Sequence, residues 1–139
     1  MASWGLGKGS FEPVNVPSDL GYSTDHVWVR KLDDDLVRVG ITDYAQDALG
    51  DVVFVDVVEV GTTVVAGAIF GEVESTKSVS ELFAPVSGEV VAVNEDLEIT
   101  PEKVNEDPYS DGWICEMKTE GPNTDGLLDA SAYLALVGV

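Results

Sequence analysis

Apolar and polar positions alternate in short bursts from residue 26 to residue 118, and turn-forming residues separate the bursts, which is the pattern of an all-β sandwich or barrel. The bursts predict strands at 26–32 (HVWVRKL), 36–41 (LVRVGI), 52–58 (VVFVDVV), 62–65, 68–75 (AIFGEVES), 78–83, 88–94 (GEVVAVN) and 112–118 (GWICEMK). Turns are expected at Asp33-Asp34-Asp35, at Gly61, at Ala66-Gly67 and from Pro85 to Gly88. Helical spacing interrupts this pattern. Thr42 is placed to cap a short helix with Tyr44, Ala45, Ala48 and Leu49 on one face, and Gly50 is placed to end it. Near the C-terminus, Leu128, Ala132, Ala135 and Leu136 fall at i, i+4, i+7 and i+8, predicting an amphipathic helix over about 124–136 that covers part of the sheet. Pro101 opens a shorter helical turn that reaches Val104.

The 139 residues suit one domain around one core. Residues 1–18, with their glycines and prolines, read as a flexible lead-in, and 19–139 as the folded unit. The lead-in lacks the apolar region of a secretory signal and the Arg-rich amphipathic character of an organelle transit segment. Bacterial cytoplasm is therefore the expected location, ahead of a processed protein of the mitochondrial matrix. No stretch approaches the ~20 apolar residues of a membrane span, so a soluble monomer is expected.

Charge narrows the partners. Twenty-six acids against seven bases give a net charge of −19, which argues against nucleic acid and against anionic membrane surfaces. Such a surface favours steered docking on basic patches of other proteins, although solubility alone accounts for it equally well. The lone Cys115 cannot form an internal disulfide, and Trp113, Cys115 and Met117 alternate onto one strand face, so a core thiol is expected. His26 is the only histidine, which leaves no multi-histidine metal site and no serine- or cysteine-histidine triad. Neither GxGxxG nor GxxxxGK[ST] occurs, so nucleotide binding has no support.

From Val39 to Glu102, Lys77 is the only basic residue, among thirteen Asp and Glu. Alternating flanks of similar length surround Ser75 to Ser78, which predicts a hairpin with Thr76 and Lys77 at its tip. The turn has no Asn-Gly or Asp-Gly, so the placement rests on the symmetry of the flanks. In the bland reading Lys77 is solvated and ion-paired with Glu74, an interaction worth at most about 1 kcal/mol. In the sharper reading the amine is acylated and becomes the root of a long swinging arm. The spacing of Glu74 to Lys77, with Gly88 eleven residues further on, favours acylation.

The stretches "VGITDYAQDALGDVVFVDVVEVGTTV", "FGEVESTKSVSELFAPVSGEVVAVNE" and "VNEDPYSDGW" together resemble the glycine cleavage system H proteins, a family of lipoyl carriers, over roughly residues 20–118 and more weakly through the C-terminal helix. The resemblance implies a mainly β, barrel-sandwich hybrid fold: a two-sheet β sandwich with a lipoyl hairpin, short flanking helices and a C-terminal helix. It implies that Lys77, matching the lysine of the family's Glu-Ser-Val-Lys, carries lipoic acid in amide linkage. It further implies a carrier that catalyses nothing itself. In the family an aminomethyl group arrives from a pyridoxal-phosphate glycine decarboxylase and leaves through a tetrahydrofolate-dependent aminomethyltransferase with release of ammonia. Dihydrolipoamide dehydrogenase, with FAD and NAD, then restores the disulfide. An ammonium among carboxylates is a poor nucleophile, so a lipoate ligase or a lipoyl/octanoyl transferase is the remaining partner.

Glu74, Glu81 and Gly88 are candidates for contacts with the modifying enzyme or the arm. Against this, the two glutamates suit a solvated hairpin flank and Gly88 suits a purely backbone role. The chain departs from the family at Thr76 and Ser78, where Val and Ala are usual, and at Val27, where the family reads His-Glu-Trp. Val27 either packs beside Val29 or leaves a loaded amine without a nearby carboxylate, a role Glu81 then takes. On the second view a glutamate at position 27 would slow decay of the loaded form.

The rival carriers fit less well. Lipoyl domains of 2-oxoacid dehydrogenases lack "GITDYAQDALGD" and "VNEDPYSDGW", and biotinyl lysines usually lie between methionines. A lipoate relay or redox carrier without glycine cleavage, and a cofactor-free adaptor domain, are the alternatives of a different class.

Overall fold

The computed structural model of the protein describes residues 15–119 and 126–138. Most of the predicted lead-in and the first two residues of the predicted C-terminal helix lie outside the described residues. The described residues fold as two antiparallel sheets. In order, β1 is Gly21–Tyr22, β2 Val27–Asp33, β3 Leu36–Ile41, β4 Val52–Val57, β5 Thr63–Val64, β6 Ile69–Ser75, β7 Val79–Phe83, β8 Gly88–Val93 and β9 Cys115–Lys118. The larger sheet has the order β1-β2-β3-β9-β8-β5, and the smaller β4-β6-β7. Each of the eight strands expected from alternation has its counterpart, with 62–65 and 112–118 shortened. The two-residue β1 is too short for periodicity to show.

Between the sheets Phe70, Val73 and Leu82 from the smaller sheet join Val27, Val39, Val90 and Met117 from the larger, all fully buried. Each contributes about 1.5–3 kcal/mol by leaving water. The period of two places Val27 and Val29 on the core face of β2, and it turns Trp28 to the other side. There Trp28 meets Leu20, Tyr22, Tyr109 and Tyr133 in a second, aromatic cluster. Cys115 is the expected core thiol: burial, with Glu116 adding to it, pushes its pKa up to about 12.

Among the described residues three α-helices accompany the sheets. Helix α1, Asp43–Leu49, begins where Thr42 accepts a hydrogen bond from the Ala45 N–H at 3.2 Å and ends at Gly50, as the spacing predicts. Ala45 and Leu49 are its buried residues, with Tyr44 and Ala48 packed alongside. The turn from Pro101 leads into α2, Lys103–Glu106, and Asn94 caps a 3-10 turn at Glu95–Glu98 that the sequence pattern did not suggest.

The C-terminal helix α3 is Ala130–Val137, shorter than predicted and turned to a different face. Leu128 is not helical, because its N–H and C=O both pair with Tyr22 in a β-bridge. Asp129 then caps the helix by accepting from the Ala132 N–H at 2.8 Å. The residue it buries is Tyr133, whereas Ala132, Ala135 and Leu136 are exposed. A polar tether selects this face: the Tyr133 hydroxyl lies 2.7 Å from Thr42 Oγ1 and 2.8 Å from His26 Nδ1, and its ring stacks on Tyr22 at 4.8 Å.

Candidate cofactor attachment site

Strands β6 and β7 form the predicted hairpin, and Thr76, Lys77 and Ser78 are exposed at its end. Ser75 closes the turn. Its N–H donates to the Ser78 carbonyl at 2.8 Å, and its buried hydroxyl accepts from the N–H groups of Lys77 at 3.3 Å and Ser78 at 3.1 Å. The serine side chain stands in for a backbone acceptor, as an Asn or Asp side chain does in other turns. Among the described residues the salt bridge present joins Arg38 to Glu116 at 2.6 Å. The Lys77–Glu74 ion pair of the bland reading does not form.

Beneath the lysine lies the end of α1. Gly50 has φ of 84°, a conformation that favours glycine. A Cβ there would sit 3.4 Å from Lys77 Cε and 3.9 Å from Nζ, so the stem of the lysine crosses a residue that has no side chain. One residue on, the Asp51 carbonyl accepts from the Thr76 N–H at 3.1 Å and fastens the tip to this segment.

Asn105 of α2 fixes the segment in turn. Its Oδ1 accepts from the Val52 N–H at 2.8 Å, and its Nδ2 donates to the Gly50 carbonyl at 2.8 Å and to Gln46 Oε1 at 3.0 Å. Nearby, the Pro108 carbonyl takes the Trp28 indole N–H at 2.9 Å and the Tyr109 carbonyl takes Arg30 Nη1 at 2.8 Å. The Tyr109 hydroxyl accepts from the Asp43 N–H at 3.0 Å. The three stretches that carry the family resemblance thus meet: one bears Lys77, one supplies the floor under it, and one locks that floor to α1 and β2.

The other sequence candidates separate. Glu74 and Glu81 are exposed on the outer face of the smaller sheet, on the two strands that lead to and from Lys77. Gly88 begins β8 in the other sheet, where an added Cβ would stand 2.5 Å from the Lys118 carbonyl oxygen, so close backbone approach demands glycine there. Val27 is fully buried in the core with Val29. A carboxylate at 27 would enter that core, which removes the expectation that Val27→Glu could protect a loaded arm.

His26 is held in the aromatic cluster by Tyr133, and its ring lies 5.1 Å from that of Tyr44. Burial lowers its pKa to about 4 against an opposing pull from Asp25. A groove of about 400 Å³ lined by Val57, Val58, Leu97 and Ile114, with Asp56 and Glu98, opens along the part of β4 remote from the tip, and Lys77 does not line it.

Sequence reasoning missed Ser75, Gly50 and Asn105 as parts of the site. The hydroxyl of Ser75, placed just before the two tip residues, is a signal for a serine-closed turn. Asn105 gave none, because its partners lie 53 to 59 positions away.

Comparison with known proteins follows the same residues. The sequence profile described as glycine cleavage H-protein matches residues 20–138. A glycine cleavage system H protein of Mycolicibacterium smegmatis is 58% identical over 126 residues, which cover 88% of this chain and 96% of that one. That of Mycobacterium tuberculosis is 55% identical over 126 residues, covering 86% and 94%. The crystal structure of a glycine cleavage system H protein from Mycobacterium marinum superposes with a TM-score of 0.82 at 44% identity, covering 89% of this chain and all of that one (100%).

Proposed function

The chain belongs to the glycine cleavage H-protein family, and we propose that it is the lipoyl-bearing shuttle of a bacterial, cytoplasmic glycine cleavage system. In this reading Lys77 carries lipoic acid in amide linkage. The protein takes an aminomethyl group from the pyridoxal-phosphate glycine decarboxylase to the tetrahydrofolate-dependent aminomethyltransferase, and electrons to dihydrolipoamide dehydrogenase. It is a carrier component and not itself a catalyst. When bound, lipoate supplies a dithiolane whose disulfide accepts the one-carbon unit together with two electrons.

The observation that most supports this is the setting of Lys77: an exposed amine at a hairpin tip, without an ion pair among the described residues, its stem over the bare Gly50. The residues around it present and orient. Ser75 fixes the turn, the Asp51 carbonyl anchors Thr76, and Asn105 holds the Asp51 segment still. A rigid platform under a mobile arm raises the effective concentration of the arm's end in each partner's active site once the carrier has docked. Placing the hard chemistry in a cofactor fits a chain with one histidine and one buried thiol.

The test is intact mass and peptide mapping after incubation with lipoate ligase, ATP and lipoate. One lipoyl group on Lys77 is expected, with none on Lys77→Ala or Lys77→Arg. Both variants should keep the wild-type melting temperature, since the replaced side chain is exposed. Lipoylation that persists in Lys77→Ala would sink the attachment site. Glycine–bicarbonate exchange with the decarboxylase then separates the shuttle from a relay or redox carrier: a fully lipoylated protein that supports none is not the glycine cleavage shuttle.

A further inference from the structure

The outer face of the smaller sheet is built in rows by its strand register. Beside the tip, Phe54 on β4, Glu74 on β6 and Val79 on β7 stand opposite one another, and the next row is Asp56, Glu72 and Glu81. All six are exposed, Phe54 at 53% and Val79 at 52%. Like charges directly opposite one another weaken a sheet, and a half-exposed phenylalanine gains little by burial. A row of three carboxylates behind two apolar side chains is therefore poor design for stability alone, yet it suits a contact with an apolar centre and a charged rim.

We infer that this face is the docking surface for the enzyme that acylates Lys77, with Phe54 and Val79 entering an apolar socket and Asp56, Glu72 and Glu81 meeting a basic rim. The inference rests on the reading of Lys77 as the attachment residue. Distance selects the occupant. Enzymes that act on the end of the arm can stand off from the sheet by the arm's length. The acylating enzyme has to bring its own reacting carbon to Nζ, so its footprint must cover the rows next to the tip. Charge selects the chemistry: no lysine or arginine other than Lys77 occurs between Val39 and Glu102, so the face complements a basic surface. A second copy of this chain, also at −19, would be repelled.

The step itself balances without further reagents. The Lys77 amine attacks the carbonyl of a lipoyl thioester or of a lipoyl–phosphate mixed anhydride, the amide bond forms as the bond to the thiol or phosphate breaks, that group leaves, and the amine loses one proton.

The experiment uses the full-length chain and its Phe54→Thr/Val79→Thr variant, which has strand-favouring β-branched residues at both positions. Initial rates of acylation by lipoate ligase give kcat/KM for each. The double variant should fall about tenfold or more, as truncation of central apolar anchors does elsewhere. Exhaustively lipoylated wild type and variant should be turned over by dihydrolipoamide dehydrogenase at equal rates. Acylation of the folded variant within about twofold of wild type overturns the inference while leaving the Lys77 reading intact. So does an equal loss with both enzymes, which would mark a general docking face, or sedimentation showing a dimer that the variant abolishes. A wild type with no acylation at Lys77 removes the reading and the inference together.

Discussion

The hairpin tip and the aromatic cluster divide the protein's work between them. At the tip, Thr76, Lys77 and Ser78 are exposed and held by backbone hydrogen bonds and one serine hydroxyl. In the cluster, Tyr22, Trp28 and Tyr133 are fully buried, with Tyr109 nearly so, and their polar atoms are paired at 2.5–2.9 Å with carbonyls, a threonine and a histidine. Order is concentrated in the cluster, and the amine proposed as the attachment point stands where little is lost if it changes. Substitutions at the tip should therefore remove function at constant stability, and substitutions in the packed half should do the reverse.

The strongest way to break this division is to place the tip's chemistry in the packed half. Val27→Glu puts a carboxylate at a fully buried position between the sheets, next in sequence to Trp28, and among core residues that are otherwise apolar. An uncompensated buried charge costs about 3–5 kcal/mol, so urea denaturation at pH 7 should show a loss of that size. The fraction that remains folded should be acylated at Lys77 at the wild-type rate. A loss below about 1 kcal/mol would mean that the side chain escapes to solvent and that this part of β2 is not packed as described.

The contrast also marks what was legible in the sequence. The strands, the hairpin and α1 announce themselves because their causes are local: alternation, flank symmetry, a threonine cap and a terminal glycine. Val27 was readable in the same way, since a period of two sets it beside Val29 whatever the family has there. Helix α3 was not, because its register is fixed by Thr42 and His26, about ninety and over a hundred residues away. The alanine and leucine stripe was the stronger local signal, and a buried tyrosine with two distant polar partners overrode it. At the proposed attachment site the position of the lysine at a hairpin tip was legible from the symmetry of its flanks, while its support was not, because Asn105 acts mainly through backbone groups that no side-chain pattern reports.

Asn105 joins the two halves, so changing it should disturb both. Asn105→Ala leaves the Val52 N–H and the Gly50 carbonyl without their partners, at a cost of about 1–3 kcal/mol. Because Thr76 is fastened to the intervening Asp51 carbonyl, acylation of Lys77 in the folded variant should also slow. Asn105→Asp keeps the acceptor for Val52 and loses both donors, so it should fall between the two on both measurements. A variant that loses stability with no change in acylation rate would confine Asn105 to the packed half.

The effect that vanishes at neutral pH belongs to His26 and shows only in acid. Its φ of 69° is one that asparagine tolerates well, so His26→Asn should not strain the backbone. In the folded chain burial between Tyr44 and Tyr133 keeps the ring neutral down to about pH 4, even with Asp25 pulling the other way. Once unfolded, the ring regains its ordinary pKa of about 6.5. Between those values the unfolded chain holds a proton that the folded chain does not, so this residue's contribution makes stability fall as pH falls from 6.5 to 4. Above 6.5 both states are neutral, and below 4 both are protonated, so the contribution is level at either end. The carboxylates titrate in wild type and variant alike, and subtracting the two stability curves isolates the ring. The wild-type advantage over His26→Asn should be constant above pH 6.5 and shrink through the window. A difference that stays flat from pH 7 to pH 4 would show that the folded protein protonates this ring as readily as the unfolded chain does, and would open the aromatic cluster to water beside Tyr44 of α1.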